Sequence, residues 1–137
     1  MDFNHFLTSY MPNPDVGSKT HFQNMVDQSI LADKLGYKTV SIPEHHLINL
    51  LMMPSPLQMA VKISSLTQHI SISTSVAVLP LHDMRTYAGE VSTADILTDG
   101  RLILGVARGA FPWEMEKLGI PIEQSKEKFI ESLEVLQ

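Results

Sequence analysis

The 137 residues suffice for one domain with a buried core, and a hydrophobic content of 44% excludes a disordered polymer. A formal net charge of −5 without a Lys/Arg cluster argues against nucleic acid or an anionic membrane as the main partner. The absence of cysteine excludes disulfides and thiolate chemistry, and no run approaches the ~18 apolar residues of a membrane span, so a soluble cytoplasmic protein is expected.

Strand and helix signals alternate along the chain. A first strand is predicted over Phe3 to Thr8, followed by a turn-rich stretch with Pro12, Asn13, Pro14 and Gly17. Thr20-His21-Phe22-Gln23 fits a capping box, and the helix behind it carries Phe22, Met25, Val26, Ile30 and Leu31, with Gly36 as its stop. Strand two is predicted from Lys38 to Ile42, and a second helix follows Ser55-Pro56, with Ser as cap and Pro in the first turn.

Strand three, Ile70 to Leu79, places Ile70, Ile72, Val76 and Val78 on one parity and Ser71, Ser73, Ser75 and Ala77 on the other. In a barrel the bulky parity packs against helices and the small parity faces inward. Small inward residues either admit a planar ligand or merely relieve crowding. Asp83 caps helix three, whose inner face carries Tyr87, Ala88, Val91 and Ala94 and which ends at Asp99-Gly100. Strand four spans Leu102 to Ala107, a loop holds Arg108, Gly109, Phe111 and Trp113, and a last helix begins near Glu123 with Phe129, Ile130, Leu133 and Leu136 inward. Four consecutive βα units imply a parallel sheet with right-handed crossovers, an α/β fold in one domain over 1–137.

Ile42-Pro43-Glu44-His45-His46 is the most informative junction, because α/β folds build sites at the C-terminal ends of parallel strands. Successive side chains diverge there, so one histidine is free for chemistry while the other braces the loop. Glu44 is assigned the bracing role and His45 the chemical one. No metal site is expected, since no His-Glu-x-x-His or other ligand spacing occurs. Gly105-Val106-Ala107-Arg108-Gly109 is neither a dinucleotide fingerprint nor a P-loop. Arg108 is a fixed cation at a strand mouth, suited either to an anionic or electron-rich ligand or to a surface ion pair. His82-Asp83 reads as a helix entrance.

Three segments together carry a resemblance: Ile42-Pro43-Glu44-His45-His46, Ser73 to Asp83, and Asp99 to Gly109. In order and spacing the chain resembles the bacterial luciferase-like, flavin-dependent monooxygenases over essentially its whole length. The resemblance implies a TIM barrel and reduced FMN, supplied by a separate flavin reductase, with O₂ oxidising a small organic substrate; some relatives use F420. By position it implies that His45 is the active-site acid or base. It also implies that Ser75 and Val76 flank a non-proline cis peptide against the flavin ring, and that Arg108 and Phe111 line the cofactor pocket. Met84 replaces a usual proline, and Gly89 stands where relatives commonly carry an acid.

A full barrel of this type takes about 250 residues and commonly grips phosphate after strands seven and eight, so about four of eight units are expected here, a half-barrel. Open edges on strands one and four imply that another chain covers them, as in a homo-oligomer or with a partner, or that the sequence is a fragment of a longer protein; association is expected in either case. The alternative reading is a non-catalytic truncated half-barrel that persists only in such an assembly.

Overall fold

The computed structural model describes residues 1–49 and 51–137. Four strands lie parallel in chain order: β1 (Asn4–Phe6), β2 (Thr39–Ile42), β3 (Ser71–Thr74) and β5 (Leu102–Ile103). A second parallel pair, β4 (Ala77–Val78) and β6 (Val106–Ala107), continues the last two strands toward the same end. The helices are α1 (Ser18–Lys34), α2 (Pro56–Ser64), α3 (Met84–Leu97), α4 (Pro112–Lys117) and α5 (Ser125–Leu136). Among the described residues, no helix is long and apolar enough to cross a membrane.

Register sorts the sheet into two faces. His5, Val40, Ile72 and Leu102 align in one row, and Phe6, Ser41, Ser73 and Ile103 in the next. Val40 and Ile72 are fully buried with Met25, Val26, Ala60 and Ile63 of α1 and α2. The opposite face carries a polar ladder, in which the Ser41 hydroxyl donates to Asn4 Oδ1 at 2.9 Å and meets Ser73 Oγ at 2.7 Å. Phe6 and Ile103 on that face remain 50% and 49% exposed, so among the described residues no helix covers them.

The sheet is also tied down at its base. The Asp33 carboxylate, near the end of α1, accepts from three consecutive amides, those of Gln68, His69 and Ile70. Burial pushes its carboxyl up, but those amides and the neighbouring His69 outweigh it and hold it below the usual carboxylate range. At the same end, the Arg101 guanidinium donates to Ser64 O at 2.7 Å, Thr67 Oγ1 at 3.1 Å and Thr98 O at 3.2 Å. A cation there answers the free carbonyls where α2 and α3 stop.

Several boundaries differ from the sequence expectation. The capping box at Thr20 does not form; α1 starts earlier, behind Gly17, whose φ of 76° follows a short 3₁₀ turn capped by Asn13. On α1, Leu31 turns out to solvent at 55% exposure, while Ser29 and Ala32 take the inner stripe with Met25 and Val26. The helical period explains this, since positions 25, 29 and 32 stack above one another and 31 falls on the flank. Ser55 occupies the N-cap position of α2, but its hydroxyl makes no capping bond. Asp83 caps α3 as expected, accepting from the Arg85 amide at 3.1 Å, and Met84 starts that helix without a proline. On α5, Phe129, Leu133 and Leu136 pack inward but Ile130 is 49% exposed.

The largest correction concerns strand three. Ser71 and Ser75 donate their amides toward β2, to Lys38 O and Ile42 O, as the alternation requires. Ala77, two residues on, donates instead to Gly105 O on the other side. The alternation has therefore changed phase. Ile70 and Ile72 face the α1/α2 core, but beyond Ser75 it is Ala77 and Leu79 that pack against α3, with Tyr87 and Ala94. Val76 and Val78 do not share the face of Ile70 and Ile72, as uninterrupted alternation predicts. The peptide bond between Ser75 and Val76 is cis.

Candidate active site at the C-terminal strand ends

β2 delivers Glu44 to the C-terminal end of the sheet, where it is buried to 2% exposure. One carboxylate oxygen, Oε2, accepts the Val78 amide at 2.8 Å. The other, Oε1, lies 2.7 Å from His46 Nε2 and 2.9 Å from His82 Nε2. Three groups, one from its own loop and two from the stretch running from β4 to α3, thus converge on one carboxylate. Burial alone pushes the Glu44 carboxyl up; the contacts from His46, His82 and the Val78 amide outweigh it and leave the acid below its usual range. The hydrogen bond to Glu44 raises His46 above its ordinary value, with burial opposing. The His82 ring stacks on Tyr87, with centroids 3.8 Å apart. Burial pushes the Tyr87 phenol up, with the Glu44 and Glu90 charges adding to it.

His45 takes the opposite direction, as adjacent residues in an extended chain must. Its amide donates to Met53 O at 2.9 Å, which pins the loop after β2. Its ring stands 5.3 Å from that of Phe111, and its Nδ1 is 3.5 Å from Glu114 Oε2. Glu114 is 4% exposed, and its other oxygen accepts the amide of His46. His45 and His46 both border an open cavity of about 700 Å³ whose other walls include Met11, Phe22, Leu51 and Leu118.

The remaining predicted residues lie at the same end. Ser75 is exposed and Val76 half-buried at the junction of β3 and β4. β4 pairs with β6 through Val78 and Ala107, so Arg108 follows directly at the strand mouth, exposed and, among the described residues, with no carboxylate within ion-pair distance. Phe111 is 46% exposed at the head of α4. The chain is closely packed here: a Cβ on Gly105 would run into Thr74 O, and one on Gly109, whose φ is 91°, would come 2.6 Å from Met115 Sδ.

Two residues escaped the sequence reading. His82 was assigned only to a helix entrance, yet it completes the Glu44 cluster. Glu114 lies on a helix read as loop; Pro112 at the first helical position with an acid two residues on was the available signal.

The profile of the luciferase-like monooxygenases matches residues 1–137. The chain belongs to this family. Among its luciferase-like relatives, the uncharacterized protein y4vJ of Sinorhizobium fredii is 32% identical over 99% of this chain and 39% of the relative. The oxygenase component of the flavin-dependent trigonelline monooxygenase of Acinetobacter baylyi is 29% identical over 86% of this chain and 33% of its own length. The oxygenating constituent of 3,6-diketocamphane monooxygenase from Pseudomonas putida, solved in complex with FMN, superposes with a TM-score of 0.92 at 22% identity. That superposition covers 99% of this chain and 38% of the other. The expected TIM-barrel-type run of parallel βα units is thereby borne out, and this luciferase-like chain spans a little over a third of such proteins.

Proposed function

We propose that the chain forms the wall of a flavin-dependent monooxygenase site at which O₂ and a small organic substrate react. The observation that carries this reading is that His45, Ser75, Val76 and Arg108 stand at one end of the sheet, where Glu44 ties the His45 loop to β4 through the Val78 amide, in a chain of the luciferase-like family. The flavin would supply the redox chemistry with O₂, having been reduced by a separate reductase; FMN is the first choice and F420 the alternative.

The residues present suit such a ring. An exposed Ser75, a half-buried Val76 and the tightly packed Gly105 are small and uncharged, and the unpaired Arg108 offers a cation to an electron-rich or anionic ring edge. Phe111 stands beside His45. His45 is assigned to hold and move a proton at the cavity, a task that suits a histidine. The mainly apolar cavity walls, with adaptable methionine among them, suit an uncharged organic substrate and exclude water from its apolar part. The chain operates in the cytoplasm in this reading.

Titration of the purified chain with FMN, followed by flavin fluorescence, tests the assignment. Micromolar binding that His45→Ala spares and Arg108→Ala weakens is the expected result. No binding at millimolar FMN removes catalysis from this chain by itself.

A second reading is favoured by the uncovered sheet face at Phe6 and Ile103. In it, the half-barrel is non-catalytic and persists as an oligomer or with a partner chain. Chromatography with light scattering decides this: a stable monomer at all concentrations rules it out.

A further inference from the structure

Glu114 is a buried carboxylate with one amide donor, the His46 N–H, and lone pairs to spare. His45 Nδ1 is a buried ring nitrogen without a hydrogen bond, and Glu114 Oε2 is 3.5 Å away. Each lacks what the other supplies. Leaving both unmatched costs free energy that a proton on Nδ1 recovers. A histidine has two distinct nitrogens, and the partner of one decides the state of the other. We propose that Glu114 is a positioning residue: it holds the proton on His45 Nδ1 and thereby leaves Nε2 as the nitrogen available to the cavity that His45 lines.

The helix geometry serves this arrangement. Phe111, whose ring bears on His45, is the N-cap residue of α4, and the first turn of that helix brings Glu114 to the same imidazole. The same carboxylate grips the next residue of the loop through its backbone, so ring and loop are oriented by one group. The other charged groups around His45 are Glu44 and His46 of its own loop, His82 beyond Glu44, and Arg108 at the end of β6. Glu44 is already engaged by His46, His82 and the Val78 amide. Glu114 is therefore the carboxylate available to His45.

The inference rests on the reading of His45 as the acid–base group, but its test needs no flavin. Long-range ¹H–¹⁵N correlation spectra of the imidazoles, recorded on the full chain across a pH titration, report tautomer and midpoint directly. The neutral form of His45 is expected to carry its proton on Nδ1. Glu114→Gln keeps an oxygen for the His46 amide and turns an NH₂ donor toward His45 Nδ1; it is expected to move the neutral His45 ring to the Nε2-protonated tautomer. An Nε2-protonated neutral ring in the unmodified chain overturns the proposal without any variant. A tautomer unmoved by Glu114→Gln, with the His46 resonances unchanged, overturns it as well. Failure to bind FMN leaves both readouts standing, so the two readings fail separately.

Discussion

At the scale of single residues, Glu44 concentrates the consequences. Its depressed carboxyl contributes stability that is present above the ordinary value of 4.5 and lost as pH falls through the lower folded value. The raised His46 contributes stability that is complete below its ordinary 6.5 and lost as pH rises through its folded value. The two overlap between 4.5 and 6.5, and urea midpoints are expected to peak there. Glu44→Gln is expected to flatten both limbs. Glu44→Ala also strands the Val78 amide and two imidazoles, and a loss of about 3–5 kcal/mol in urea unfolding is expected. The bracing role of this residue was legible in the sequence, because a carboxylate at a buried strand end must find donors. Its partners were not, since Val78 and His82 reach it only through the change of phase at Ser75.

At the scale of elements, the order of strands and the longer helices followed from periodicity, because α1 and α3 are long enough for a stripe to emerge. Short elements hid. α4 has six residues, too few for a period, and so Glu114 went unseen. Strand three failed for a different reason. Alternation is a local rule, and nothing in Ser73-Thr74-Ser75-Val76 marks where hydrogen bonding passes from one neighbour to the other. The close approach of Gly105 to Thr74 O belongs to that same level of the sheet. Gly105→Ala forces a methyl group against main chain that cannot swing aside, and a loss of about 2–3 kcal/mol in a thermal melt is expected. A loss below experimental error would show that β3 and β5 separate there at no cost.

At the scale of the molecule, one side of the sheet is covered by helices and the other presents Phe6 and Ile103 to solvent beside two unpaired edges. Unpaired edges and apolar side chains invite association. Light scattering is expected to show apparent mass rising with concentration. Replacing both residues by serine is expected to reduce that rise while shifting stability by no more than about 0.5 kcal/mol, since neither is buried. Mass unchanged by the double substitution would place the contact elsewhere. That the sheet would be left with open edges was readable from counting βα units; which side chains it would offer depended on register.

Asp33 sits at the far rim from Ser75 and Val76, yet it governs them. By gripping the amides of Gln68, His69 and Ile70 in succession, it sets the starting point from which β3 is counted. Slippage by a single step at that anchor would carry every later side chain of the strand to the wrong side. The precision of the upper rim is therefore inherited from a carboxylate at the lower one.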